Sequence, residues 1–354
     1  MSDTFDVSIF LDHPSKNHDK EKETFVEKMW LRPLDAHIEA FSAYFELLKY
    51  EVRALLDTKR TGLSSLEFDH VLTIRDTILQ NDSTNLAELR QIVANRLTAA
   101  ALPDEAISPA IMFVVRVLLM IKVKQSNGSS NDQSYMLHIS DNESLKSVVD
   151  TIQTSPSLGY WNPIDGFPSW FNAIDLERKA GLRIDWTHYI TDHLTVRDNT
   201  LYLFSNVGAL KHVKNAQEFT SKFFTEEFID ETLATSHLFF PKPPHGYGYI
   251  DYISWFKNKN GKIEIWQRSL PSPNNPTVSR LYTAYPVWNQ RLAWVLEASK
   301  NQPNMGIKRI WYDDRDLSLW WTRWALITAV FLTILFGLIQ SITGIIQVVY
   351  AANG

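Results

Sequence analysis

At 354 residues the chain can hold two modest domains or one large one, and its 19 Phe, 13 Tyr and 12 Trp exclude a weakly hydrophobic, disordered polymer. A formal net charge of −5 excludes the broad basic surface that nucleic-acid binding requires. With no cysteine anywhere, disulfide frameworks, thiolate metal sites, iron–sulfur ligation and cysteine nucleophiles are excluded together.

Residues 1–23 form a polar lead, "MSDTFDVSIFLDHPSKNHDKEKE", without the basic start and long apolar core of a secretory signal. A helical region is expected over 24–124. Its first helix is predicted from Thr24 to Asp57, because Leu34, Ile38, Phe41, Phe45, Leu48, Val52 and Leu55 alternate spacings of four and three. Phenylalanines on such a seam favour an intramolecular bundle over a slender two-stranded coil. Two more helices are predicted near 64–80 and 83–100, with Asp82 or Ser83 as cap between them. "SPAIMFVVRVLLMIKVK" is strongly apolar, yet Arg116 interrupts it, so a buried helix with Arg116 paired to an acid is expected rather than a membrane span.

The polar stretch at 125–135 reads as a mobile loop and a boundary, followed by a mixed, aromatic-rich region over 136–300. There the pattern predicts a helix from Pro168 to Ala180 closed by Gly181, a strand around Leu182 and Ile184, and a helix starting near Trp186. A strand at "TLYLF" and a helix over 216–236 follow. A hairpin turning at Asn260-Gly261 and a return to helix after Thr277 complete the region. Asn81, Asn127 and Asn142 each open an Asn-x-Ser glycosylation sequon.

A juxtamembrane helix is expected over 301–324, a transmembrane helix over 325–350 and a short tail at 351–354. The 26 residues from Ala325 to Tyr350 carry no charge, more than the roughly 20 that a helix needs to cross the hydrocarbon layer. Trp311, Trp320, Trp321 and Trp324 on one side and Tyr350 on the other are placed to sit at headgroup level. Lys308, Arg309, Arg315 and Arg323 precede the span, so the positive-inside rule puts the body in the cytosol and the chain becomes a single-pass, tail-anchored protein. Thr333, Gly337, Gln340, Ser341, Gly344 and Gln347 share one face of the span, a small and polar stripe suited to helix–helix association in lipid.

Several segments together resemble a fungal (ascomycete) family of C-terminally membrane-anchored proteins with no assigned activity. They are "FNAIDLERKAGLRIDWTHYITDHL", "TLYLF", "ETLATSHLFFP", "VWNQRLAWVLE" and "WYDDRDLSLWWTRWALITAVFLTILFGLIQSITGIIQVVY". The resemblance implies a helical body with a small mixed portion carried on one C-terminal span. It implies no catalytic residue.

The sharpest chemical candidate is "WTHYITDHL", where Asp192 and His193 are candidates for a metal site or acid–base pair, with His188 nearby. A five-residue separation does not bring His188 and His193 onto one helical face, so caps and internal hydrogen bonds are the expected role. "YDDRD" places Asp313, Asp314 and Asp316 beside Arg309, Arg315 and Arg323, which reads as a solvated, ion-paired juxtamembrane helix. No dinucleotide or phosphate loop, His-Glu-x2-His motif or Gly-x-Ser-x-Gly elbow occurs.

The expected fold is mainly α, a helical bundle body with a small α+β portion and a single C-terminal transmembrane helix. The expected function is a non-enzymatic, membrane-anchored interaction or scaffold protein without cofactor. Its partners are the bilayer and a second protein or another copy, and nucleic acid is not among them. One alternative is a subunit resembling CorA-type magnesium channels, although those need two spans and a Gly-Met-Asn signature, and here Asn304, Met305 and Gly306 stand in another order. The other is a membrane-tethered enzyme with dispersed residues.

Overall fold

A computed structural model describes residues 19–57, 66–97, 102–126, 136–154, 165–241, 254–255, 258–259, 279–300, 313 and 316–353. Among them the chain is mainly helical with a small sheet portion. The expected helix over 24–57 is two: α1 (Asp19–Trp30) and α2 (Ser42–Asp57), separated by an extended link and a 3₁₀ turn at Ile38–Phe41. Leu31 takes a left-handed conformation at φ 52°, and Pro33 soon follows without a backbone N–H, so the helix cannot run through. The seam survives as a buried face nonetheless: Phe41, Leu48, Val52 and Leu55 are buried, with Leu34, Ile38 and Phe45 packed half-buried against the core. It is an internal seam of the bundle.

Helices α3 (Phe68–Gln80) and α4 (Leu86–Leu97) follow as expected, but the cap between them is Asn85, whose side chain accepts the Glu88 N–H at 2.9 Å. Neither Asp82 nor Ser83 fills that role. Helix α5 (Asp104–Leu119) is the apolar stretch and lies in the core, with Ala110, Ile111, Val114, Val117 and Leu119 fully enclosed. It serves as the central packing element rather than a span. Arg116 on it donates to Glu51 of α2 at 2.7 Å, the acid partner the sequence required.

Strand β1 (Val123–Gln125) pairs in parallel with β2 (Leu137–Ile139), so the polar stretch between them joins neighbouring strands. One hydrophobic core contains Ile111 and Val123 on one side and Ile139 and Phe171 on the other. The boundary expected at 125–135 therefore does not divide the packing, and most of that loop lies outside the described residues.

After α6 (Leu145–Gln153), the helix expected from Pro168 to Ala180 is the shorter α7 (Ala173–Arg178), and Gly181, at a φ of 75°, supplies the left-handed residue of the turn that leads from it into the next strand. Three strands form the second sheet, with β5 (Thr200–Phe204) central, β3 (Arg183–Thr187) parallel to it and β4 (Thr195–Arg197) antiparallel. The helix expected at Trp186 is thus the end of β3 followed by a 3₁₀ turn at Ile190–Asp192. Asp198 and Asn199, both at positive φ, form the two-residue turn of the β4–β5 hairpin. Two left-handed residues are what a hairpin turn of the right twist needs.

Helix α8 (Val207–Lys214) is not among the expected elements, and the single helix expected over 216–236 is two: α9 (Gln217–Thr220) and α10 (Glu226–Phe239). The expected return to helix after Thr277 comes later in the chain, as a 3₁₀ turn at Tyr282–Ala284 followed by helix α11 (Asn289–Lys300). The expected hairpin at Asn260-Gly261 lies outside the described residues, although Ser254–Trp255 and Asn258–Lys259 within that segment are helical. Finally α12 (Leu317–Asn353) runs 37 residues, about 55 Å at 1.5 Å per residue. Its apolar stretch is fully exposed, and it is long and apolar enough to cross a membrane.

Candidate functional site

The segment "WTHYITDHL" adopts no single regular element. Its first residues finish β3, the 3₁₀ turn reverses the chain, and His193 sits where β4 begins. The reversal is fixed from outside: the Ile190 N–H donates to the Met120 carbonyl at 2.7 Å, and the Lys122 N–H donates to the Thr191 hydroxyl at 3.0 Å. Tyr189 donates its phenol to Glu51, the same carboxylate that holds Arg116. A turn pinned to the residues just after α5 outcompetes the helix that its local pattern predicts.

His193 is 1% exposed and has both ring nitrogens engaged. The Phe204 amide, which can only donate, reaches Nδ1 at 3.1 Å, so Nε2 carries the proton and donates to the Thr235 hydroxyl at 2.7 Å. Thr235 passes its own proton to the Thr232 carbonyl at 2.7 Å. The ring stands edge-on to Trp288, centroids 4.9 Å apart. Burial, reinforced by the Arg291 cation, pulls the imidazole down to about 3, so it stays neutral through the physiological range. No lone pair remains on it for a metal.

Asp192, its neighbour, is buried against the Arg197 guanidinium, with Lys122 Nζ at 3.9 Å. It balances two cations instead of pairing with His193. His188 turns elsewhere, with Nδ1 lying 3.0 Å from Ser205 Oγ. The Ser205 hydroxyl donates to the Thr187 carbonyl at 3.0 Å, so the imidazole is the donor to serine. That polarity is opposite to the one needed for a base-activated nucleophile. Burial lowers the His188 pKa, with the nearby Glu46 charge opposing.

Sequence reasoning did not identify the remaining members of this cluster. Glu231 of α10 accepts the Val287 N–H at 2.9 Å and the Trp288 N–H at 2.6 Å, closing the open amides just before α11. Burial pushes its carboxyl up to about 7 against the pull of those two hydrogen bonds. The Trp288 indole N–H donates to the Thr232 hydroxyl at 2.9 Å. Arg291 donates to the carbonyls of Thr191 and His193 at 2.8 and 2.6 Å, with its guanidinium carbon 5.1 Å from the Trp288 ring centre.

Three segments far apart in the chain, "WTHYITDHL", "ETLATSHLFFP" and "VWNQRLAWVLE", therefore interlock through one buried hydrogen-bonded hub. The signal was available in their polar residues embedded in apolar text, but the pairing was not. Chemically the hub is a clamp: its acceptors are filled by backbone amides and its donors by carbonyls and hydroxyls.

The stripe residues on α12 stand differently. The hydroxyls of Thr333 and Ser341 donate to the Ala329 and Gly337 carbonyls at 2.9 and 2.8 Å, back-bonding one turn earlier. Around Gly337 and Gly344 a methyl group would meet nothing within 4 Å. Trp320 stacks edge-on to Trp321 at 4.9 Å and lies 5.9 Å from Trp324, forming a compact aromatic cluster in the first turns. Tyr350 is exposed near the other end, and Trp311 lies outside the described residues. Asp316 caps α12 by accepting the Leu319 N–H at 3.1 Å, while Asp313 is buried, so "YDDRD" is not a uniformly solvated helical face.

The described residues define a class: a helix-rich body with a small sheet portion and one C-terminal helix fit to span a bilayer. Beyond that class, no protein-family model, curated protein or solved structure matches the chain.

Proposed function

We propose that the chain is a single-pass membrane protein whose helical body works by binding, as an interaction or scaffold module on the cytosolic face. The observation that carries the reading is the contrast between the two most apolar helices. Helix α5 is buried on nearly every side by its own chain, whereas the apolar stretch of α12 is covered by none of it. A face of that size in water costs roughly 25 cal/mol per Å² of apolar surface, so it calls for lipid or another protein. The uncharged length, the tryptophans at one end and Tyr350 at the other favour lipid.

Orientation rests on Arg323 and the basic residues before it. Association rests on the Thr333, Gly337, Gln340, Ser341, Gly344 and Gln347 stripe, because Gln340 and Gln347 carry carboxamides that hydrocarbon cannot solvate. Membership of the fungal anchored family whose motifs the chain resembles belongs to the same proposal.

The test is glycosylation mapping in cells. A consensus acceptor added after Gly354 is expected to be modified while Asn81, Asn127 and Asn142 are not. Modification of the body instead overturns the cytosolic orientation, and Asn142 reports it best: Asn142 is exposed in a turn, whereas the Asn81 amide donates to the Thr77 carbonyl at 2.8 Å. Release of the chain by alkaline carbonate overturns the span itself.

A further inference from the structure

Helix α8 docks on the α1–α2 link through a joint that contains a buried imidazole with no hydrogen bond. His212 is 2% exposed, and neither ring nitrogen has a hydrogen-bond partner. Its ring stands edge-on to Trp30 and to Phe41, with centroids 5.8 and 5.6 Å away. Nδ1 points at Asp35 Oδ1, but 3.6 Å is too long for a hydrogen bond. The other Asp35 oxygen is taken by Arg32, whose guanidinium also donates to the Asn215 carbonyl just beyond α8 at 2.6 Å. One turn before His212, Gly208 lets the two backbones approach so closely that a Cβ there would lie 2.2 Å from the Ala40 carbonyl oxygen.

A buried polar ring left unpaired is a cost that packing normally eliminates. Phenylalanine would fill the same aromatic corner without it. The group that distinguishes histidine here is its capacity to take a proton, and the joint is built so that the proton matters. We propose that His212 is a proton-sensitive latch, in which the neutral ring closes α8 on the 31–41 link and the charged ring loosens that joint.

The charges that face the ring set the direction. From the link come Asp35, which favours the charged ring, and Arg32, which opposes it; from α1 comes Glu27, which favours it. Glu27 is partly committed, since its carboxylate accepts the Leu34 N–H at 2.9 Å. On α8 itself lie Lys211 and Lys214, the latter tied to Asp230 of α10 at 2.6 Å. His237 of α10 faces Lys211 and is itself pulled down to about 4, by burial and by that lysine. Burial is the largest influence on His212 and holds its pKa below the ordinary histidine value of 6.5. The docked joint therefore binds the proton more weakly than the open one, and falling pH favours opening. The open fraction therefore rises as pH falls below 6.5, by at most the roughly tenfold per pH unit that one proton allows.

The experiment is hydrogen exchange on the full chain in lipid nanodiscs at pH 7.5 and 5.0, with protection corrected for intrinsic exchange rates. Protection across 31–41 and 207–215 is expected to fall several-fold more at pH 5.0 than protection across 68–80 and 86–97, which follows the stability of the whole chain. His212→Phe is expected to hold the joint closed at both pH values, and His237→Phe to leave the wild-type response in place. Equal protection of the joint at both pH values in the wild type overturns the latch, as does a His212→Phe chain that loosens as the wild type does. Should His212→Phe fail to fold, the His212 Cε1 resonance decides in the wild-type chain. Titration at or above pH 6.5 overturns the proposal, and titration below it coincident with loss of joint protection sustains it.

Discussion

Arg116, the charge inside the most apolar helix of the body, meets Glu51 of α2 at 2.7 Å, and Tyr189 closes on the same carboxylate from the turn after β3. Glu51 is 2% exposed. Three elements distant in sequence are thus fixed by one buried acid. Removing an acid of this kind leaves a cation and a phenol without their partner, which typically costs about 3–5 kcal/mol for a buried pair. Glu51→Ala is expected to lower stability by an amount near the bottom of that range, because the Arg116 side chain keeps 21% exposure. Combining Glu51→Leu with Arg116→Met should recover much of the loss, as read from urea unfolding midpoints. A double variant weaker than the sum of its singles argues against the pairing.

His193 is a packing residue with a hydrogen-bond assignment, so its substitution should damage folding and leave metal content untouched. His193→Ala is expected to cost about 2–4 kcal/mol, from the cavity beside Trp288 and the orphaned Phe204 amide. Titration calorimetry with zinc should give the same trace for the wild type and a folded His193→Gln chain. Loss of zinc binding in that variant would sink the structural assignment.

The pH dependence follows from the same ring. His193 has a folded value of about 3 against 6.5 unfolded, so between those limits the unfolded chain binds more protons. Stability attributable to it is complete above pH 6.5 and is lost as pH falls toward 3, at up to about 1.4 kcal/mol per pH unit. Glu231 acts oppositely: raised to about 7, it favours the folded chain below 4.5 and loses that contribution as pH rises through 7. His237, at about 4, adds to the acid limb. Melting temperature measured from pH 4 to 7.5 should therefore rise with pH through the histidine window, and a folded His193→Gln chain should show a shallower slope.

Gly208 is required for close approach. Because a Cβ would lie 2.2 Å from the Ala40 carbonyl oxygen and 2.9 Å from its carbon, backbone must move to admit even alanine. Gly208→Ala is expected to cost about 1–3 kcal/mol as an overpacked contact, and Gly208→Val more. An unchanged melting temperature in Gly208→Ala would mean that α8 does not dock as closely as described.

Gly337 and Gly344 predict the reverse pattern. A side chain at either meets nothing in its own chain, so Gly337→Leu and Gly344→Leu should leave body stability and membrane insertion unchanged. They should weaken association between chains by roughly tenfold or more if the stripe is a contact face. Förster transfer between labelled copies in bilayers measures this, and equal transfer in the double variant removes the stripe from the account.

What could be read from sequence was what depends on short range and on composition. The uncharged run from Ala325 gave α12, the apolar stretch around Arg116 gave a buried α5 in need of an acid, and Gly181 gave the stop after α7. Those features are set by local sterics and by the price of a charge in an apolar surround, and both are written in neighbouring residues. Leu31 and Pro33 also held the break that the heptad spacing obscured, and Asp198-Asn199 the hairpin turn hidden behind a predicted helix.

Tertiary structure alone decided the rest. Glu51 was a seam-flanking acid until Arg116 and Tyr189 arrived from 65 and 138 residues away. Thr235, Trp288 and Arg291 held no legible role until they closed around His193, and His212 became a candidate latch only when Trp30 and Phe41 enclosed it. The physical reason is common to all of them: desolvation and hydrogen-bond partnership belong to pairs of surfaces. A single sequence lists the groups that need partners without saying which surfaces meet.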